Sequence, residues 1–256
     1  MRAVVPSPAR RWLKQEMLRV ERSRRAHRGD TDLGSLRRTT PVSRDSGQSR
    51  GQPVDRYFIE QFLAQHAADV RGHVLDFCDD CYARRFWGTR VTRVDVLHLT
   101  DGNPRATIVA DLATGENIPS NTFDCIICTQ VLLYVYDIHS AVKTLYRILR
   151  QGGIMLVTVP GVAHKISRAE MEQGGDYWRF TTLCLRRLFE EVFPPENIEV
   201  KAYGNVLAAI TFLDGFAVQD LRRKDLDCSD PGYEVSIGLR AVKPVPVYVE
   251  GPPPQS

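Results

Sequence analysis

The sequence predicts an α/β protein: an open, twisted sheet of seven mostly parallel strands with helices on both faces. Three observations predict it. Short runs rich in apolar and β-branched residues recur along the chain, most without the polar alternation of a strand that faces water. Segments with helical periodicity stand among them. Turn-forming residues separate the two kinds.

The elements follow in order. Asp55–Val70 places Phe58, Ile59, Phe62, Leu63, Ala67 and Val70 on one helical face, the pattern of a helix laid on a sheet. Strands are predicted at His73–Phe77, Val91–Leu97, Ala106–Ala110, Phe123–Cys128 and Ile154–Val159. Between the last two, Asp137–Arg150 reads as a helix. Asp137 caps it, Ile138, Ala141, Val142, Leu145, Ile148 and Leu149 form its buried stripe, and Gly152 ends it. Thr181–Phe193 is a further helix, stopped by Pro194. Ile198–Tyr203 and Tyr233–Ala241 complete the strands, the latter alternating like an edge or antiparallel strand. Open sheets bind ligands outside the carboxyl ends of their strands, so a site is expected on the loops after Phe77, Leu97, Ala110, Cys128 and Val159.

Composition sets the domain plan. A chain of 256 residues with 43% hydrophobic content builds one ordinary core with length to spare. The expected plan is a basic arm and linker over 1–52, a folded domain over 53–243 and a Pro-rich tail over 244–256. Residues 1–50 carry 13 Lys/Arg and 5 Asp/Glu, a net of +8, so the overall +3 leaves −5 for the rest. Such an arm reads as a solvated leader with one loosely helical stretch, Arg10–Val20. It could also touch nucleic acid, which leaves a nucleic-acid modifier as one open reading, although nucleic acid is not the expected partner. No apolar run approaches a membrane span and no secretory signal is visible, so the cytoplasm is the expected location.

Two C-x-x-C pairs, Cys78/Cys81 and Cys125/Cys128, raise the question of zinc. Residues three apart on a strand point to opposite faces, so Cys125 and Cys128 cannot easily grip one ion. The first pair lacks two further ligands. Reduced, structural cysteines are expected.

Five motifs stand on the candidate loops. Gly72-His-Val-Leu-Asp76 ends in an acid before a turn, and Val94-Asp95-Val96 places another in the second strand. Asp111-Leu112 is followed by Ile118-Pro-Ser-Asn-Thr-Phe-Asp124. Leu149-Arg-Gln-Gly-Gly-Ile-Met155 turns into the fifth strand, and Asp176-Tyr-Trp-Arg-Phe-Thr181 enters a late helix. In this order and spacing they resemble the motifs of class I S-adenosylmethionine-dependent methyltransferases, particularly methyltransferase-11-like members associated with glycan biosynthesis. The resemblance runs from Pro53 to Pro244. It implies a Rossmann-like sheet, S-adenosyl-L-methionine as cofactor, and methyl transfer to a small molecule or glycan. It also implies cofactor-binding residues. These are Asp76 and Cys78 at the first turn, Asp95 on the ribose hydroxyls, Asp111 and Leu112 at the adenine, and Thr129 with Gln130 beside the methionine end.

The chain departs from that family's pattern twice. Aligned on Asp76, three glycines of the turn become Cys78, Asp80 and Tyr82, where glycine would let the backbone approach a ligand. The link from Leu97 to Ala106 is too short for the helix usual there. The alternative reading is therefore a methyltransferase-like fold without catalysis, serving as a binding or scaffold module, with Tyr82 or Asp80 plugging the pocket. Tyr136, Asp137, His139, His164 and Asp176 are candidate bases, and Trp178 and Arg179 candidate acceptor contacts.

Overall fold

The computed structural model describes residues 12, 14–17, 19–20, 34–77, 79–86, 88–161, 163–173 and 175–246. The chain divides into two units, residues 1–40 and 41–256. In the first, the described residues between 12 and 20 are helical and Gly34–Arg37 forms a 3-10 turn. The second unit begins earlier than the expected boundary at residue 53. Val42 N–H donates to Asp214 O (2.8 Å), Arg50 pairs with Asp220 (2.8 Å), and Pro53 bridges Ala217. These residues bond to segments far along the chain, which no local pattern signals. Of the Pro-rich end, residues 247–256 lie outside the described residues.

Seven strands form one sheet: β1 Gly72–Phe77, β2 Val91–His98, β3 Ile108–Val109, β4 Phe123–Thr129, β5 Leu149–Pro160, β6 Ile198–Tyr203 and β7 Ser236–Val242. Their order is β3-β2-β1-β4-β5-β7-β6. β1 to β5 pair in parallel, and β7 runs antiparallel to both β5 and β6. The chain builds outward from β1 to β3 and then crosses back to β4. The β1/β4 boundary is thus the switch point where adjacent loops diverge and leave a crevice.

The helices are α1 Val54–Gln65, α2 Cys81–Phe86, α3 Ile138–Ile148, α4 Arg168–Gln173, α5 Thr182–Glu190, α6 Val206–Asp214 and α7 Arg223–Leu226. α1 and α6 cover one face, where Phe58, Ile59, Phe62 and Phe212 meet Val74, Cys125, Ile127 and Leu156. α3 and α5 cover the other, where Leu145, Ile148 and Phe189 meet Leu75, Ile126, Met155 and Val157. Each such side chain contributes about 1.5–3 kcal/mol when fully buried. Gly238 in β7 lets α1 sit close, since a Cβ there would come 2.5 Å from the Phe62 ring. Cys125 and Cys128 pack into opposite faces, as strand geometry requires.

Boundaries shift where the backbone changes course. α1 ends at Gln65 rather than Val70, because Ala67–Asp69 tightens into a 3-10 turn and Gly72 takes φ 66°. Leu149 leaves α3 with φ −71° and ψ 136°, and pairs with Phe123 as the start of β5. Thr100–Pro104 is indeed only a turn, and β3 shrinks to two residues. Side-chain caps hold the helix starts: Asp137 for α3, Thr181 for α5 and Asn205 for α6.

One buried cation locks the far end of α3. Lys243 Nζ donates to Asn121 Oδ1 (3.0 Å), Tyr146 O (2.8 Å) and Leu149 O (2.7 Å), and stands 4.5 Å from the Tyr146 ring centroid. The ammonium meets the negative end of the helix dipole and carbonyls that the helix itself leaves open. Lys243→Met leaves those acceptors buried and unpaired. It is expected to cost about 2–3 kcal/mol, read as a lower urea midpoint with an unchanged m-value.

Candidate active site

The loops at the carboxyl ends of β1, β2, β4 and β5 meet along one edge of the sheet. After β1 the chain turns sharply: Asp79 N–H donates to Phe77 O (2.7 Å), and α2 follows at once. Asp76 is 1% exposed, and its carboxylate accepts from Phe77 N–H and Ala83 N–H, both at 2.9 Å. Asp79 accepts from Cys81 N–H (3.0 Å). The first-turn N–H groups that a glycine-rich loop would turn toward a ligand are here bonded to the chain's own carboxylates. Burial pushes the Asp76 carboxyl up to about 7, aided by the charges of Asp79 and Asp80, against the pull of its two N–H donors. Cys78 lies outside the described residues.

Tyr82 does not plug the crevice. It is buried among Val54, Phe58 and Val74 on the α1 side of the sheet, and its hydroxyl accepts from Arg56 (2.7 Å). Asp80 is also buried. One of its oxygens accepts from Arg84, while Oδ1 has Arg105 3.6 Å away and no hydrogen bond.

Asp95 is bonded within the sheet. It sits three residues inside β2 rather than at its tip, because β2 continues to His98. Its carboxylate accepts from His73 Nε2 (2.6 Å), Thr107 Oγ1 (2.9 Å) and Arg93 (3.0 Å). Burial would raise its pKa, but these three donors outweigh burial and hold it below the ordinary carboxylate value. The group braces β1 to β2 and to the start of β3, with His73 in turn against Phe123 (4.8 Å between centroids). His98, at the true end of β2, turns its Nδ1 to Thr100 O (2.9 Å). Asp111 is exposed and accepts from Ala113 N–H (2.8 Å) in a local turn, and Leu112 is buried in the core.

Beyond β4 the geometry is more open. Thr129, half-buried, ends the strand opposite Thr158 of β5. Gln130 takes φ 53°, a left-handed conformation uncommon for a residue other than glycine, and its N–H donates to Thr158 O (2.8 Å). Among the described residues three buried side-chain oxygens lack a hydrogen-bond partner: Asp80 Oδ1, Gln130 Oε1 and Thr158 Oγ1. All three belong to the carboxyl-end regions of β1, β4 and β5. Thr158 is the residue sequence reasoning missed; the one hydroxyl within Ile154–Val159 was its signal.

The candidate bases are mostly engaged. Asp137 caps α3 through Ser140 N–H (3.1 Å), and His139 pairs with Glu191 (2.9 Å). The Asp176 side chain is fully buried and held below the ordinary carboxylate range by Arg179 (2.5 and 3.0 Å). Burial drives His164 down to about 4, so it is neutral at physiological pH. The indole of Trp178 donates to Val135 O (2.9 Å) and braces two loops.

This is a Rossmann-like, seven-stranded sheet of the class I methyltransferase type, with its candidate site over the β1/β4 switch point. Comparison with known proteins agrees: residues 66–157 match the family described as "Methyltransferase domain". A SAM dependent methyltransferase from Archaeoglobus fulgidus is similar in fold, with TM-score 0.50 and 9% identity over 73% of this chain and 94% of that one. A phosphoethanolamine N-methyltransferase from Haemonchus contortus gives TM-score 0.47 and 16% identity over 73% of this chain and 53% of that one. No curated protein sequence matches. The domain match and the fold are consistent with the class I S-adenosylmethionine-dependent methyltransferase family. Among the described residues no helix is long and apolar enough to cross a membrane.

The raised Asp76 carboxyl makes stability pH-dependent in a stated direction. A carboxyl with a native pKa above its unfolded value stabilises fully below that unfolded value and loses the contribution as pH rises toward about 7. Asp76→Asn is expected to remove a decline of up to about 1.4 kcal/mol per pH unit between pH 4 and 7. Urea unfolding at several pH values measures the slope, whatever the substitution does to absolute stability.

Proposed function

We propose that the chain is an S-adenosylmethionine-dependent methyltransferase acting on a small molecule or saccharide. The observation that carries the reading is the pair of buried oxygens of Gln130 and Thr158 without a hydrogen-bond partner, at the carboxyl ends of β4 and β5 beside a matched methyltransferase domain. A buried polar atom left unbonded costs about 1–3 kcal/mol, and a left-handed glutamine adds strain. A polar ligand over these strand ends would offset both. The residues present fit such a cofactor through Asp80, Asp111, Leu112, Thr129 and Gln130. Asp76 and Asp95 would shape the pocket from beneath, because their carboxylates are already bonded within the protein.

S-adenosyl-L-methionine supplies a methyl group on a sulfonium, primed for in-line displacement. The chain's share is then to bind, align and exclude water. Gln130 and Thr158 would orient the ligand at β4 and β5. Asp137, His139 and Asp176 are tied to other groups, so alignment rather than proton abstraction is the main contribution expected of this site.

A second reading, a binding or scaffold module without catalysis, is favoured by one observation: the acids on β1 and β2 are already hydrogen-bonded within the protein. Calorimetric titration with S-adenosylhomocysteine separates the two. The methyltransferase reading expects binding, a rise in Tm by linkage, and an affinity weakened about tenfold in Gln130→Ala. No heat and no Tm shift at millimolar ligand would sink it and leave the scaffold.

A further inference from the structure

The loops that follow β4 and β5 carry a cluster of aromatic rings that the cofactor reading does not use. Tyr136 is 72% exposed and Tyr177 is 48% exposed, yet neither hangs on a loose segment. Tyr177 N–H donates to Leu133 O (2.9 Å), and Trp178 Nε1 to Val135 O (2.9 Å), so the two loops are sewn together beneath the rings. Rigid tyrosines of this kind offer contact area at low entropic cost.

The geometry says how a ligand would meet them. Tyr136 and Tyr177 stand edge to face, 5.2 Å between centroids at 65°. Tyr136 and Trp178 are nearly parallel, 6.3 Å apart at 25°. A flat ring sandwiched between two faces needs about 7 Å, two carbon contacts, so nothing inserts and a ligand must lie on the outer surface of the cluster. The charged residues adjacent in sequence to the rings are bonded within the protein: Asp176 to Arg179, His139 to Glu191, Asp137 to the α3 cap. The surface therefore suits an uncharged partner with an apolar face and a hydroxylated rim, which the angled rings can follow and the two phenol groups can hydrogen-bond.

Resting on the methyltransferase reading, we propose that Tyr136 and Tyr177 form the docking surface for the methyl acceptor, and that this acceptor is a neutral saccharide lying with a pyranose C–H face on the rings. Trp178 is a positioning residue, holding the surface from behind.

The test uses the full chain with S-adenosylhomocysteine present. The methyl glycosides of glucose, galactose, mannose and rhamnose serve as probes in saturation-transfer NMR, with 4-nitrophenol as the planar control. At least one glycoside is expected to saturate at its ring C–H protons. The signal should fall about tenfold in a Y136A/Y177A double variant and stay within about threefold in Y136F/Y177F. Tm and S-adenosylhomocysteine titration should match the parent protein in both variants. If the cofactor product binds but no glycoside saturates, or the alanine variant saturates equally, the inference is overturned while the methyltransferase reading stands. Tyrosine-dependent binding of 4-nitrophenol alone would overturn it in favour of a planar aromatic acceptor. Failure of S-adenosylhomocysteine itself to bind removes the underlying reading, and the inference falls with it.

Discussion

Everything in this domain depends on strands β4 and β5 being buried on both faces. Met155, Val157 and Val159 point to one side of β5, and Ile154 and Leu156 to the other, so the sheet must carry helices on both sides. β1 to β5 pair in parallel, because each crossover between them returns the chain to the same end of the sheet. The loops after β1, β2, β4 and β5 then have to gather along one edge. The candidate site is a by-product of that packing rather than a separate structure laid on top of it.

Charge is handled differently at the floor of the site and at its surface. Below, Asp95 and Asp176 are each satisfied within the protein, by His73 with Thr107 and Arg93 and by Arg179. Burying an ionised group is tolerable only with such bonding, and the bonding ties strand to strand and loop to loop. Above, the unbonded oxygens of Gln130 and Thr158 and the open faces of Tyr136 and Tyr177 are the groups left over. A rigid, internally satisfied floor under unsatisfied groups is the arrangement that pre-orients a ligand at low entropic cost.

The crowded first turn fits the same logic. With Asp76 and Asp79 bonded to the first N–H groups of α2, the chain caps that short helix itself where a glycine loop would leave the task to a ligand. Tyr82 is accommodated because α2 aims it at α1, away from the crevice. At Tyr82 the substituted glycine thus leaves the crevice unfilled.

The fold class, the main strands and helices and the capping role of Asp137 were all legible in the sequence by itself. They rest on periodicity and capping, which act between residues close along the chain. Only the tertiary structure decided that β2 runs on past Asp95 and gives its carboxylate to His73 and Thr107, that residues 41–52 dock on the domain, that Thr158 Oγ1 is buried without a partner, and that Tyr136 meets Tyr177. The physical reason is reach. Which partner a polar group finds depends on strand register and loop docking, and those are set by contacts between segments tens of residues apart, to which local pattern is blind.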